Sequence, residues 1–188
     1  MSKNILIFRT DRIGDLLLTC PTIITIKKYF SNSKISIVTS EKNLHYAKSL
    51  GIFENVYLFP KRNFLKKIKF IYNMSKLFFD YVYIFDGKER SIITSLFIKS
   101  NNKIALATIN KFYYKILNIK FFIDNKNETL SQIFQKFIDY TDIPVKINNY
   151  KFLNEKKDNK FSLNIPIKNY IHFHFDEKWI DDLYIKNY

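Results

Sequence analysis

Apolar residues in this chain fall into two alternating patterns: short unbroken runs of four or five, and longer stretches in which they recur every three or four positions. Ile5 to Phe8 is the first short run, of the kind that fills a parallel strand covered on both faces. After a polar interruption, Leu16 to Leu18 opens a helical stretch that reaches about Tyr29 or Phe30, and Ser31-Asn-Ser33 makes a turn. Ile35 to Val38 predicts a second strand, Glu41 to Leu50 a short helix stopped by Gly51, and Asn55 to Phe59 a third strand closed by Pro60. The alternation continues with a helix over 61–79, a strand over 81–85 ending at Asp86-Gly87, a helix over 91–98 and a strand over 103–106. Glu128 to Tyr140 predicts a further helix with Leu130, Ile133, Phe134, Phe137 and Ile138 on one face.

Strands joined repeatedly by helical crossovers predict an α/β fold with a doubly wound, mainly parallel, Rossmann-like sheet. The pattern changes at Pro144. Residues 146–160 are rich in Lys and Asn, and Tyr170 to Phe175 restarts an apolar strand before the chain stops at Tyr188. The expected organisation is a domain over 1–143, a linker over 144–169, and over 170–188 the opening unit of a second domain whose remainder is absent.

Composition narrows the classes. Apolar residues make up 47% of the 188 and aromatics 18%, which excludes a disordered chain. The formal net charge of +14 raises a nucleic-acid partner, but its carriers are mostly lysines scattered over the whole length, so no nucleic acid is expected. The densest basic cluster, Lys61, Arg62, Lys66, Lys67 and Lys69, is interleaved with Phe64, Leu65, Ile68, Phe70 and Ile71. That pattern fits either a solvated helix face or an amphipathic helix on an anionic membrane surface. Cys20 is the only cysteine, so no internal disulfide forms, and its apolar setting suits a small buried thiol. The chain shows neither a spanning apolar run nor a secretory leader, and the expected location is cytoplasmic, with peripheral association at the inner face of the membrane as an option.

The candidate chemistry lies between the first strand and the first helix. Arg9, Thr10, Asp11 and Arg12 interrupt the apolar pattern, Gly14 allows a tight turn, and Asp15 stands where the helix starts. An acid at the carboxyl end of a parallel strand lies on the edge where such sheets bind ligands. Asp15 is thereby either a helix N-cap or a proton acceptor, and Arg9 and Arg12 are candidate anion contacts through bidentate geometry. Asp86 and Arg90 follow a second strand end and join them as candidate substrate contacts.

The segment Asn4-Ile-Leu-Ile-Phe-Arg-Thr-Asp-Arg-Ile-Gly-Asp-Leu-Leu-Leu-Thr-Cys-Pro21 resembles the start of the ADP-heptose:lipopolysaccharide heptosyltransferase family. Lys27-Lys-Tyr-Phe30, Ile52-Phe-Glu-Asn-Val-Tyr57 and Tyr81-Val-Tyr-Ile-Phe-Asp-Gly87 followed by Arg90-Ser91 match later pieces, so the resemblance extends over most of residues 3–143. It implies the amino-terminal half of an inverting glycosyltransferase with two Rossmann-like domains. The first domain would bind a lipopolysaccharide or other cell-surface glycan acceptor, and the second a nucleotide sugar, ADP-heptose or a relative.

In that scheme Asp15 is the catalytic general base, Arg9, Thr10, Arg12, Gly14, Asp86 and Arg90 serve the acceptor, and no cofactor or metal is implied. Tyr170-Ile-His-Phe-His-Phe-Asp-Glu-Lys-Trp179 resembles the first strand and loop of the second domain, which makes Lys178 the implied contact for the donor diphosphate. Lys178 immediately precedes Trp179 in the sequence, where the family has one residue between them, and Ile180 stands where the family has Pro. His172 and His174 alternate along that strand without a third ligand at metal spacing. Two rival expectations stand beside this one: a truncated, non-catalytic remnant of the same family, and a basic module that binds polyanions or membranes.

Overall fold

The computed structural model describes residues 2–107, 114, 117, 119–123, 128–141 and 143, all within one compact unit. The elements run β1 (Asn4–Phe8), α1 (Ile13–Tyr29), β2 (Lys34–Thr39), α2 (Leu44–Ser49), β3 (Asn55–Leu58), α3 (Phe64–Ser75), β4 (Phe78–Ile84), α4 (Glu89–Leu96), β5 (Lys99–Ala107), β6 (Lys120–Ile123) and α5 (Leu130–Tyr140). The strands form one sheet in the order β3-β2-β1-β4-β5-β6, and every neighbouring pair is parallel. This is the doubly wound α/β arrangement that the alternation predicts. The expected linker and second-domain opening lie outside the described residues.

The central strand explains the layering. Ile5, Leu6, Ile7 and Phe8 are all fully buried, because β1 has a strand on each side and helices on both faces. Successive side chains alternate between faces, so Ile5 and Ile7 join Ile35, Ile37, Tyr83 and Phe85 in a layer covered by α1 and α5. Leu6 and Phe8 join Val38, Val82 and Ile84 on the other face, under Met74 of α3 and Ile92 of α4. Register keeps the apolar positions level, with Ile7 beside both Ile37 and Tyr83. α1 carries Pro21 in its interior, and Thr19 Oγ1 and Thr25 Oγ1 donate to the carbonyls of Asp15 and Pro21 at 2.7 and 2.9 Å on either side of it.

Several boundaries move. The helix expected over 61–79 stops at Ser75, because Phe78 and Phe79 pair with Lys99 and Ser100 as the start of β4. α4 begins two residues early, at Glu89, and β5 extends back to Lys99 through polar residues. α1 starts at Ile13 with Arg12 as the N-cap, so Asp15 occupies the third helical position instead of the N-cap. The tight turn expected at Gly14 is absent there. Gly14 is helical, and the glycines with positive φ are Gly51, just past α2, and Gly87, just past β4.

Candidate active site

β1 and β4 are the adjacent strands at which the winding direction reverses, and their carboxyl ends carry the loops 9–12 and 85–88. A crevice opens at such a switch point because the two connections leave to opposite faces of the sheet. Here it is a cavity of about 320 Å³, lined by Thr10, Asp11, Arg12, Asp15, Ser40, Glu41, Lys42, Phe59, Lys61, Lys88 and Arg90. That volume lies at the lower end of the range that holds small ligands. Its wall combines three carboxylates, Asp11, Asp15 and Glu41, with a larger number of cationic side chains.

Asp15 is held from its own helix. The Arg12 backbone N–H donates to Asp15 Oδ2 at 3.2 Å, which satisfies one of the helix's orphan donors and fixes the carboxylate at the first turn. The return bond of a full capping box is missing because an arginine side chain has no acceptor. The Asp15 side chain is 39% exposed, and its Oδ1 lies 3.9 Å from Arg9 Nη2. A carboxylate at a helix amino terminus is also stabilised by the helix dipole. Asp15 therefore combines a capping role with an accessible oxygen on the cavity wall.

Arg9 does not line the cavity. Its side chain is almost completely buried, with Nη1 donating to the Phe85 carbonyl at 2.6 Å and Nε to the Asp15 carbonyl at 3.1 Å. The guanidinium also pairs with Asp11 Oδ2 at 3.2 Å and lies 5.9 Å above the Phe134 ring. A planar cation with fixed donors suits this bridging work, which ties β1, β4 and α1 together. As a ligand contact it is spent.

Asp86 is half-buried, and its hydrogen bonds go to the scaffold. Its Oδ2 accepts from Thr10 N at 3.2 Å, Thr10 Oγ1 at 2.6 Å and Ser91 Oγ at 2.7 Å, while Oδ1 accepts from Lys88 N at 3.2 Å. One carboxylate thus fastens both loops of the switch point to α4. Thr10 passes the connection on: Arg90 Nη2 donates to Thr10 Oγ1 at 3.0 Å, and Lys88 Nζ donates to the Thr10 carbonyl at 3.3 Å. Arg90 also lies 5.5 Å over the Phe59 ring, so two cavity cations are aimed by contacts with Thr10 and Phe59.

Gly14 is exposed at the same turn, and a Cβ placed on it would meet nothing within 4 Å. The described residues therefore give no steric reason for a glycine. Gly87 differs: its φ is +57°, and a Cβ would come 2.8 Å from the Leu106 carbonyl oxygen. It lets the β4 loop pass close over β5.

Sequence reasoning missed several residues of this cavity. Asp11 pairs with Arg9 but has a buried Oδ1 without a hydrogen-bond partner. Burial pushes its carboxyl above the ordinary range, the Arg9 charge opposes that shift, and the Asp15 and Asp86 charges reinforce it. Ser40 and fully buried Asn43 hold the β2 loop against the motif: Asn43 Nδ2 donates to the Arg9 carbonyl at 2.8 Å and Ser40 Oγ to the Asp11 carbonyl at 3.1 Å. Lys42, Lys61 and Lys88 reach the cavity from three different loops, a convergence invisible along the chain. Cys20 is buried in the core, and burial pushes its thiol up to about 12, which leaves it inert. Lys178, His172 and His174 lie outside the described residues. Among the described residues no group of three His, Cys, Asp or Glu side chains is placed to hold a metal ion.

These features define a Rossmann-like α/β domain with a cation-rich cavity at its switch point. The chain is similar to a family 9 glycosyltransferase from Veillonella parvula, with a TM-score of 0.61 and 16% identity over 79% of this chain and 42% of that one. It is similar to E. coli heptosyltransferase WaaC solved with ADP, with a TM-score of 0.61 and 16% identity over 78% of this chain and 48% of that one. E. coli ADP-heptose lps heptosyltransferase II gives a TM-score of 0.56 and 12% identity over 71% of this chain and 39% of that one. At these identities the likeness establishes a shared fold. The chain spans about half the length of these proteins or less. No protein-family model matches it, and neither does any curated protein sequence.

Proposed function

We propose that this chain is the acceptor-binding half of an inverting glycosyltransferase, which moves a heptose or related sugar from a nucleotide diphosphate donor to a lipopolysaccharide or other cell-surface glycan. The observation that carries the proposal is Asp15: a carboxylate fixed by Arg12 N, half open to a cavity on the ligand-binding edge of the sheet. The fold shared with heptosyltransferases, one of them solved with ADP, supports a nucleotide sugar as donor. The chemistry follows from the position. Asp15 accepts the proton of the attacking hydroxyl as the new bond to the anomeric carbon forms, and the nucleotide diphosphate leaves from the opposite side with the bonding pair. Arg12, Lys42, Lys88 and Arg90 give the acceptor pocket a cationic wall, suited to an acceptor bearing phosphate or carboxylate groups. Lys178 belongs to the same proposal as the contact for the donor diphosphate, and peripheral association with the inner membrane surface belongs to it as well.

The test pairs binding with transfer. Calorimetry should detect an inner-core oligosaccharide bound to the chain, with affinity lowered in Lys88→Glu. In a complete, active version that contains this half, single-turnover transfer from ADP-heptose should fall by on the order of 10²–10⁴ in Asp15→Asn, the usual worth of a positioned base. Asparagine keeps a carbonyl acceptor for Arg12 N and loses only the charge at the helix terminus, so stability should hold within about 1 kcal/mol. Comparable transfer rates for the two proteins, or oligosaccharide binding indifferent to Lys88→Glu, would overturn the assignment.

A further inference from the structure

α3 presents two different surfaces. Lys67, Phe70, Ile71 and Met74 turn inward, with Met74 buried in the core layer and the Phe70 ring 5.4 Å from that of Phe59. Phe64, Leu65, Ile68 and Tyr72 turn outward and are 73%, 74%, 48% and 59% exposed. Phe64, Ile68 and Tyr72 follow one another at intervals of four, so they form a single stripe, with Leu65 beside its first turn. No such cluster is needed for folding, since the helix already buries its other face. Apolar groups of this size exposed together mark a contact surface.

The charge around the stripe identifies the contact. Between Glu54 and Asp80 the chain carries six basic residues, Lys61, Arg62, Lys66, Lys67, Lys69 and Lys76, and no acidic one. Lys66, Lys69 and Lys76 fall on the polar side of the helix adjoining the stripe, and Lys76 Nζ lies 4.0 Å over the Tyr72 ring. A second copy of this chain would bring the same basic residues face to face, which repels. A surface of anionic headgroups over hydrocarbon complements both features at once: aromatic and aliphatic side chains enter the acyl boundary, and flexible lysines reach phosphates without a fixed geometry.

We propose that the amino-terminal half of α3 is a lipid-contacting element that lays Phe64, Leu65 and Ile68 into an anionic membrane surface, with Arg62, Lys66 and Lys69 against its headgroups. Its position gives the contact a use. Lys61 lines the candidate active site and, with Arg62, Asn63 and Lys66, also lines the adjoining hollow at the start of α3. Seating α3 on a membrane brings the cavity rim to the level of the headgroups, where a lipid-anchored acceptor presents its sugar. That use rests on the proposed function, whereas lipid binding itself does not.

The full chain is sedimented with vesicles of phosphatidylcholine alone and with vesicles of equal parts phosphatidylcholine and phosphatidylglycerol. Binding is expected to the second only, and to weaken as salt rises. Phe64→Ser with Leu65→Ser should lower partitioning by roughly tenfold or more, because burying a side chain of either kind is worth at least about a factor of ten. Lys66→Glu with Lys69→Glu should lower it by a similar factor. Both pairs are exposed, so thermal unfolding should not shift. Vesicle binding unchanged by the Phe64/Leu65 pair would overturn insertion, as would binding to neither vesicle. Self-association of the wild type, lost in that pair, would assign the stripe to a second copy and equally overturn the proposal. Soluble oligosaccharide binding reads the active-site assignment separately, and it should be the same in every α3 variant.

Discussion

Replacing Asp86 tests whether the switch point is a built scaffold or a set of ligand contacts. In Asp86→Ala four donors lose their acceptor: Thr10 N, Thr10 Oγ1, Ser91 Oγ and Lys88 N. Thr10 is 2% exposed and Ser91 fully buried, so water reaches these groups poorly. Hydrogen bonds to a charged acceptor contribute about 1.5–3 kcal/mol and a stranded buried donor costs about 1–3, but donors sharing one carboxylate are far from additive. The expected loss for Asp86→Ala is therefore about 3–5 kcal/mol, a large share of the stability of a domain this size.

Asp86→Asn separates charge from geometry. Its amide oxygen can keep the three donors on the Oδ2 side, while its NH₂ is turned against the Lys88 N–H. The loss should be about 1–2 kcal/mol, close to that of one charged hydrogen bond. Urea unfolding followed by circular dichroism reads both values, with an unchanged m-value required for the comparison. A loss below about 1 kcal/mol for Asp86→Ala would refute the scaffold assignment, because four satisfied donors cannot be so cheaply abandoned. Oligosaccharide affinity should fall in parallel with stability, since Lys88 and Arg90 are aimed through Thr10.

Two further substitutions probe the same architecture. Gly14→Ala should raise urea stability by up to about 1 kcal/mol, since the residue is helical and its Cβ meets open space, and should weaken oligosaccharide binding in calorimetry; unchanged binding would show that the glycine does not serve a ligand. Asp80 tests pH dependence. Its partial burial pushes the carboxyl up, but donation from Asn4 N and Lys3 Nζ outweighs that and holds it below the ordinary value. The folded state therefore binds this proton more weakly than the unfolded chain, and the stabilisation is present above the unfolded Asp value and lost as pH falls through the lowered folded one. Near neutral pH Asp80→Asn should cost less than about 1 kcal/mol, as a partly solvated pair does, and the gap to wild type should close in acid when unfolding is followed in urea.

The alternation of apolar runs and helical stretches carried the fold, because buried parallel strands and their crossover helices both impose strong periodicity. It failed where backbone pairing overrides side-chain character. Lys99, Ser100 and Asn102 read as a loop but extend β5, since the polar residues pair with Phe78, Phe79 and Tyr81 through main-chain bonds alone. β6 was not expected at all: Lys120 to Ile123 is a single short run with a lysine at its start, and a short apolar run alone does not distinguish strand from helix. The helix over 61–79 was drawn too long because Phe78 and Phe79 continue its apolar pattern directly into a strand. In the candidate site, the motif's place in the chain was plain, but the division of labour within it was not. Spacing alone cannot tell that Arg9 points beneath the turn, or that Asn43 and Ser40 return from β2 to hold it.

That division has a chemical consequence. Two of the acids at the switch point, Asp11 and Asp15, lie close to one buried cation, Arg9, whose donors are anchored to the Phe85 and Asp15 carbonyls. Both carboxylates lie within reach of that guanidinium, Asp11 Oδ2 at 3.2 Å and Asp15 Oδ1 at 3.9 Å. Arg12, Lys42, Lys61, Lys88 and Arg90 line the cavity, reaching it from beyond the ends of β1, β2, β3 and β4. If Arg9 were itself an anion contact, the two carboxylates would share their counter-charge with each ligand that bound. Burying that arginine beneath the motif separates the two jobs: Arg9 stays with the carboxylates, and the cavity's cationic wall is a different set of side chains.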